Sequence, residues 1–207
     1  MIPLPGVPGA INSSSARSGN HGDRASFHCR GAHQQVKTTI WTIGHSTHSW
    51  DEFVGLLQTY ELQAVADVRR LPGSRRLPQF DQDTMADQLE PLGIAYRWFP
   101  TLGGRRRAHK DSRNTGWRNA SFRGYADHLG SEEFAEGLEA LIDLAKQERT
   151  TLMCAEAVWW RCHRRLIADV LVLRGIEVIH ILDATHAAPH KLTPPARVVK
   201  GKLTYAD

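Results

Sequence analysis

The stretch that decides the fold is TTLMCAEAVWWRCHRRLIADVLVLRGIEVIHIL, residues 150–182. Its first part, 150–156, is a short run of β-branched and apolar residues, which is typical of a buried strand. Residues 159–174 place apolar side chains at helical spacing, and Gly175 ends that helix. A second apolar run at 177–182 predicts another strand. A strand, a helix and a strand in this order are typical of a parallel sheet unit with its crossover helix.

The same alternation extends towards the N-terminus. Three further apolar runs predict strands, which lie at 39–46, 64–72 and 95–104. Amphipathic segments between them predict helices, which lie at 49–62, 81–92 and 122–147, the last with a break near Gly130. We therefore expect a single α/β domain over 39–207, with a three-layer α/β/α arrangement around a mainly parallel sheet of about five strands.

Residues 1–38 differ from the rest of the chain. They are rich in Gly, Ser, Pro and Asn and have almost no apolar periodicity, so we expect a disordered N-terminal tail. They hold four Lys/Arg and one Asp, so that +3 of the net charge of +4 lies there. The residues His21, His28, Cys29 and His33 lack the second nearby cysteine that is typical of a zinc site.

Composition predicts a cytoplasmic protein without a membrane partner. Apolar residues make up 41% of the chain, yet no apolar run approaches the ~20 residues that span a bilayer. Three cysteines in 207 residues argue against a disulfide framework and for a reducing compartment. Within 69–118, eleven Lys/Arg stand against five acidic residues. This local basic patch indicates either an anionic ligand or a solvated arginine-rich surface.

Chemically useful residues lie at or near the end of each predicted strand, at the edge where ligands bind in open parallel sheets. They are Gly44, His45 and Ser46 for the first strand, Asp67 and Arg69 for the second, Gly103, Gly104 and Arg105 for the third, Cys154 and Glu156 for the fourth, and Asp183 for the fifth. Because the carboxyl ends of parallel strands meet at one edge of a sheet, we expect these residues to converge on a shared site.

Cys154 is the most specific candidate in this group. It lies just before a helix and, in the predicted site, near Arg69 or His45, where positive potential favours the nucleophilic thiolate. Burial in the core is the alternative, because free cysteine is among the most buried residue types. Glu156 lies two residues further on and is a candidate general base or the ion-pair partner of an arginine.

Cys162, His163 and Arg164 open the following helix. Cys162 falls on the apolar stripe of that helix, which favours core packing, whereas His163 is a candidate proton carrier. Arg164 is a candidate anion ligand or a partner of Glu156. Cys154, Cys162, His163 and His45 offer metal ligands, but the C-x7-C-H spacing differs from the short cysteine knuckles of structural zinc sites. We therefore expect no metal and no cofactor. A metal protein is the alternative, and it predicts stoichiometric zinc or iron in the purified material.

Two arginine-rich loops flank the predicted site. LPGSRRLPQF at 71–80 contains Arg75, and GGRRRAHKDSRNTGWRN at 103–119 contains Arg105 and Trp117. Arginines beside a stacking aromatic are typical of nucleic-acid contacts, and a long polar insertion after a strand is typical of a mobile lid. The residues predicted to bind an anion are Arg69, Arg75, Arg105 and Arg164.

Four motifs resemble the family called domain of unknown function 488. They are TIGHS at 42–46, ADVRRLPGSRRLPQF at 66–80, AYRWFPTLGG at 95–104 and LMCAEAVWWRCHRRLIADVL at 152–171. The pairing of CAE with CHR at this spacing is the most specific of these marks, and the resemblance runs over nearly all of 39–185. It implies that the strand-end residues and the Cys-His-Arg triplet occupy family motif positions. It brings no settled activity.

Two functions of different classes fit these residues. The first is an enzyme acting on a phosphate-bearing substrate, a nucleotide or nucleic acid, with a catalytic group made of Cys154, Glu156, His45, Asp67 and His163. The second is a non-catalytic nucleic-acid-binding module whose arginines contact the backbone. The expected partner is therefore an anionic small molecule or a nucleic acid, and the sequence leaves the oligomeric state open.

Overall fold

The computed structural model describes residues 38–73 and 75–206. The predicted tail, apart from Thr38, lies outside the described residues. The strands are β1 (Thr39–Gly44), β2 (Ala64–Asp67), β3 (Ala95–Trp98), β4 (Thr150–Cys154), β5 (Glu177–Ile181), β6 (Ala187–Pro189), β7 (Arg197–Val199) and β8 (Lys202–Thr204). The α-helices are α1 (Trp50–Thr59), α2 (Gln82–Leu89), α3 (Ala120–His128), α4 (Glu132–Gln147) and α5 (Arg164–Leu173).

Six of these strands form one sheet in the order β3-β2-β4-β1-β5-β6. The first five are parallel, and β6 pairs antiparallel with β5 at the edge. The remaining strands, β7 and β8, form a separate hairpin. The predicted α/β class with a mainly parallel sheet is therefore confirmed, with one short edge strand more than expected.

The sheet is covered by helices on both faces. Adjacent residues of β1, Ile40 and Trp41, belong to different apolar clusters, as do the adjacent Leu152 and Met153 of β4. Successive strand side chains point to opposite faces, so each cluster lies on its own side of the sheet. One cluster contains buried apolar residues of α1 and α2, such as Phe53 and Met85, and the other contains buried apolar residues of α3, α4 and α5, such as Tyr125, Leu138 and Leu166. This is the expected three-layer arrangement.

Several predicted elements are shorter in the structure than the sequence pattern indicated. The strand expected at 64–72 ends at Asp67, because its carboxylate accepts the backbone N–H of Arg69 at 2.9 Å and turns the chain. The helix expected from 159 begins at Arg164, after a 3-10 turn and an extended Cys162. The segment predicted at 122–147 forms two helices with a break at the expected place.

A buried polar network anchors the C-terminal segment. Asp169 is fully buried in α5 and accepts hydrogen bonds from Tyr205 at 2.8 Å, from Thr193, and from His190 Nε2 at 2.9 Å. His190 Nδ1 lies 2.9 Å from His180 Nε2 in β5.

Among the described residues, none of the helices has the length and apolar character that crossing a bilayer requires.

Candidate active site

A cavity of about 490 Å³ opens where the predicted strand-end residues lie. Seven of the residues predicted from sequence line it; they are Arg69, Gly104, Arg105, Cys154, Glu156, Cys162 and His163. The strand register explains the convergence, since Gly44 of β1 pairs with Cys154 of β4, and Asp67 of β2 pairs with its neighbour Met153. The carboxyl ends of three strands therefore meet beside the cavity.

The floor of the cavity holds a thiol–imidazole group, which we define as Cys154, Cys162 and His163. Their ligand atoms all lie within 4.8 Å of one another, and Cys162 Sγ is 3.5 Å from His163 Nδ1. Cys154 ends β4, and the 3-10 turn at Trp159–Arg161 leads the chain back so that Cys162 arrives beside it. Both cysteines are buried, at 7% and 3% exposure.

The two thiols of this group differ in acidity. Burial opposes ionisation of Cys162, but the hydrogen bond from the Cys154 thiol and the adjacent His163 and Arg164 outweigh it, and the pKa of Cys162 lies well below its usual range. The same hydrogen bond, together with burial, raises the pKa of Cys154 well above its usual range. Cys162 is therefore the thiol of this pair that ionises more readily, whereas the sequence favours Cys154 as the candidate nucleophile, with burial in the core as its alternative.

Arg164 lies behind this group and does not line the cavity. It is 1% exposed, its Nε donates to Cys162 Sγ at 3.4 Å, and its Nη2 donates to the carbonyl of Glu156. The side chain thus ties the loop after β4 to the start of α5 and places positive charge beside a thiolate. Of the two roles that the sequence offers for Arg164, its guanidinium has the contact with Glu156, through the backbone carbonyl, and it does not face the cavity as an anion ligand would.

Arg69 is held in position from behind by buried partners. Asp67 accepts its Nε at 2.9 Å and also its Nη2, and Tyr96 donates to the same carboxylate at 2.6 Å. His45 Nε2 lies 3.3 Å from Arg69 Nη1, with its ring stacked 4.2 Å from Phe80. Burial, followed by the charge of Arg69, lowers the pKa of His45 to about 4, so the ring is neutral at neutral pH.

Asp67 and His45, which the sequence placed in the catalytic group, therefore do not line the cavity. Both are buried, at 0% and 3% exposure, and both contact Arg69, which does line it. Because a fixed guanidinium loses less entropy on binding an anion, their position fits residues that orient Arg69.

The glycines of the motifs mark close backbone approaches. A Cβ at Gly44 would lie 1.9 Å from the carbonyl oxygen of Glu156. At Gly104 it would lie 2.8 Å from His163 Nδ1, and at Gly103 it would lie 2.9 Å from the backbone of the loop after β2. Side chains at these positions would displace the walls of the cavity.

Ser46 and Arg75 take different places from the other predicted residues. Ser46 has a positive φ of 47°, and its N–H donates to the carbonyl of Ala155 at 3.0 Å, which continues the β1–β4 pairing past the strand end. Arg75 is exposed in the loop that follows β2 and does not line the cavity. Its neighbour Ser74 lies outside the described residues.

Comparison with known protein families identifies the family of this chain. The family described as Domain of unknown function DUF488 matches residues 49–171, more than half of the sequence. The chain belongs to the DUF488 family. No curated protein and no solved structure matches it. The match includes the whole thiol–imidazole group and Glu156, while β1 and His45 precede it.

This DUF488 chain has cavity residues that the sequence reasoning did not select. They include Trp160 and Arg161, which lie between the CAE and CHR motifs, and Phe122 and Tyr125 of α3. Trp160 is 46% exposed at the cavity wall, whereas Tyr125 is buried and donates to the carbonyl of Leu102 at 2.7 Å. The helix predicted from 159 placed the first pair in its opening turn, whereas the structure places both residues in the 3-10 turn that precedes α5.

Proposed function

We propose that this DUF488 protein is an enzyme acting on a phosphate-bearing substrate, a nucleotide or nucleic acid, in the strand-end cavity. The observation that supports this best is a single cavity of about 490 Å³ lined by both the thiol–imidazole group and three arginines, Arg69, Arg105 and Arg161. Its volume falls within the ~300–1,000 Å³ of small-molecule sites. Reactive groups and anion ligands thus face the same space.

The arginines supply the anion site. Guanidinium groups match phosphate with parallel N–H donors and keep their charge at any physiological pH. Arg69 is 6% exposed and fixed by its carboxylate partner, so it meets the substrate in one orientation. Arg105 is exposed at the rim, and its backbone has a positive φ of 58°. We assign Arg69 to the bound phosphate and Arg105 to its outer oxygens.

The remaining wall residues supply the chemistry and part of the specificity. The thiol–imidazole group lies at the floor, and Glu156 is exposed on the same wall, where its carboxylate can take a proton from an attacking group. The aromatic rings of Trp160 and Phe122 border the cavity. Aromatic faces stack on nucleobases and contribute about 1–3 kcal/mol per base, which favours a nucleotide over a simple phosphate ester.

A thermal-shift panel followed by a turnover assay tests this function. The panel compares nucleotides, short oligonucleotides and uncharged nucleosides against wild type, Arg105→Ala and Arg107→Ala. Arg107 is the matched control, because it is also exposed but does not line this cavity. A ligand at a hundred times its Kd stabilises the fold by about 2.7 kcal/mol, so even a modest affinity is visible.

We expect a phosphate-bearing compound to raise the Tm of wild type and Arg107→Ala and to do so less in Arg105→Ala. Glu156→Gln should then lower kcat for that compound with little change in KM. Equal stabilisation by nucleosides without phosphate, or equal response of both arginine variants, would count against the proposed anion site.

A second candidate function has a specific observation in its favour. A basic cavity of about 470 Å³ adjoins the first through Arg105 and is also lined by Arg70, Arg107 and His109. Its lining also includes the acidic Asp127, but arginines are in the majority among its charged residues, and they suit a nucleic-acid backbone, as in a non-catalytic binding module. That function predicts oligonucleotide binding that falls steeply with salt, weakens equally in Arg105→Ala and Arg107→Ala, and is unchanged in Cys162→Ser.

A further inference from the structure

We propose that the thiol–imidazole group is a metal site that takes one Zn²⁺ ion, with Cys154 Sγ, Cys162 Sγ and His163 Nδ1 as ligands and a fourth position open to the cavity. This assignment departs from the expectation of no metal, which rested on sequence spacing alone. It is carried by four independent features of the group, which are the ligand separations, the tautomer of the imidazole, the space around it and the outer contacts.

The separation of the ligand atoms suits tetrahedral zinc. Zinc–sulfur bonds of ~2.3 Å and zinc–nitrogen bonds of ~2.0–2.1 Å at the tetrahedral angle place sulfur and nitrogen about 3.6 Å apart and two sulfurs about 3.8 Å apart. Cys162 Sγ and His163 Nδ1 are 3.5 Å apart, and all three ligand atoms lie within 4.8 Å of one another. The ion therefore requires at most small side-chain movements.

The hydrogen bond on the far side of His163 prepares its ring for a metal. His163 Nε2 lies 2.9 Å from the carbonyl oxygen of Val68, and a carbonyl only accepts, so Nε2 carries the proton. Nδ1 is the nitrogen that faces Cys162, so a metal ion bound between them would take the place of any proton on Nδ1 while Nε2 keeps its hydrogen bond. Metal-binding histidines almost always donate their other N–H to a carbonyl or carboxylate in this way.

The surroundings keep the site open on one side and neutralise it on the other. A Cβ at position 104 would lie 2.8 Å from His163 Nδ1, so Gly104 leaves room beside the ligand nitrogen. Arg164 Nε donates to Cys162 Sγ at 3.4 Å from the buried side, an outer contact that stabilises a thiolate. Cys154, Cys162 and His163 all line the cavity, so an ion between them faces its open space.

The ligand set indicates zinc and a catalytic type of site. Two thiolates and an imidazole are soft and borderline ligands that favour zinc over magnesium or calcium. Structural zinc sites use four protein ligands, whereas catalytic ones use three and leave one position for water or substrate. Cys154 comes from the end of β4, and Cys162 and His163 come from the segment just before α5, so short knuckle spacing is not required. Glu156 lines the same cavity, and its role as base towards zinc-activated water rests on the proposed function.

Metal stoichiometry of the full chain tests the site. Wild type, Cys154→Ser, Cys162→Ser and Cys29→Ser are equilibrated with Zn²⁺ under reducing conditions, freed of excess ion and analysed by plasma mass spectrometry. Cys29→Ser is the matched control, because it removes the one cysteine outside the group. We expect about one zinc per chain in wild type and in this control. The zinc retained by the other two variants should fall well below one per chain, because loss of a direct ligand costs more affinity than the roughly 10–100-fold of an outer-contact substitution.

Cobalt substitution gives a readout on wild type that does not depend on how the variants fold. Co²⁺ in place of zinc should give the near-ultraviolet band of cobalt bound to thiolate, and visible absorption of tetrahedral intensity. Reduced, folded wild type that takes up no zinc, or zinc retained equally in Cys154→Ser and Cys162→Ser, would overturn the site. Zinc bound as expected without turnover of any phosphate compound would instead overturn the proposed function and leave the metal site intact.

Discussion

Gly44→Ala is the sharpest structural test of the way the site is held together. The added Cβ would lie 1.9 Å from the carbonyl oxygen of Glu156, 2.7 Å from its carbon and 2.9 Å from Ala157 Cα. All three are backbone atoms, so no change of rotamer relieves the contact. To restore even a 3.0 Å separation the carbonyl oxygen must retreat by about 1.1 Å, the difference between 3.0 and 1.9 Å.

Two effects follow from that displacement. Overpacking of this kind costs about 1–3 kcal/mol in the free energy of unfolding. The same carbonyl accepts from Arg164, so the movement also pulls the loop that follows Cys154 away from the thiol–imidazole group. A displacement of about 1 Å near a reaction centre costs on the order of 100-fold in rate.

Urea unfolding and zinc affinity of Gly44→Ala measure these effects. Gly55→Ala is the matched control, because a Cβ at Gly55 of α1 has nothing within 4 Å. That change should stabilise the protein by up to about 1 kcal/mol through helix propensity. If Gly44→Ala unfolds at the same urea concentration as wild type and binds zinc equally well, the packing described for the strand ends is wrong.

Three further predictions address the buried charges and the thiols. Asp67→Asn leaves its partner arginine charged and buried, so the free energy of unfolding in urea should fall by about 3–5 kcal/mol, whereas Asp143→Asn, in an exposed pair, should leave it unchanged. In metal-free protein, iodoacetamide should label Cys162 at lower pH than Cys154, because the pKa of Cys162 is lowered and that of Cys154 is raised. Peptide mass spectrometry that finds both cysteines labelled over the same pH range would contradict this. Burial lowers the pKa of His180 from 6.5 to about 3, so its neutral ring stabilises the fold above pH 6.5. As the pH falls towards 3, the free energy of unfolding should decrease by at most about 1.4 kcal/mol per pH unit. In His180→Gln this decrease should be smaller.

The fold was predictable because its signals are local. Strand and helix periods alternate along the chain, and Ser49 with Glu52 form the capping box that opens α1. The edge strand β6 was not predicted, because its three residues, Ala187–Pro189, are too few to show the two-residue alternation of a strand. Its place depends on pairing with β5, which the local sequence does not encode.

The cavity was predictable only in part, because side-chain direction at a strand end is set by the neighbouring elements. His45 and Asp67 follow their strands as expected but point into the protein, where Arg69 and Tyr96 meet them. The apolar stripe of the predicted helix favours core packing for Cys162, and its side chain does belong to a buried apolar cluster. Its approach to Cys154 was not predictable, because the chain enters α5 only at Arg164 and this delay brings the two thiols together.

Diffraction at the zinc absorption edge tests the central claim most directly. Crystals grown with Zn²⁺ and the best phosphate-bearing ligand from the panel would give the position of both in one experiment. We predict one anomalous peak bonded to Cys154, Cys162 and His163, with the ligand phosphate in the same cavity within hydrogen-bond distance of Arg69 or Arg105. A metal peak elsewhere together with ligand outside the cavity would contradict the claim that substrate and reactive group meet at the strand ends.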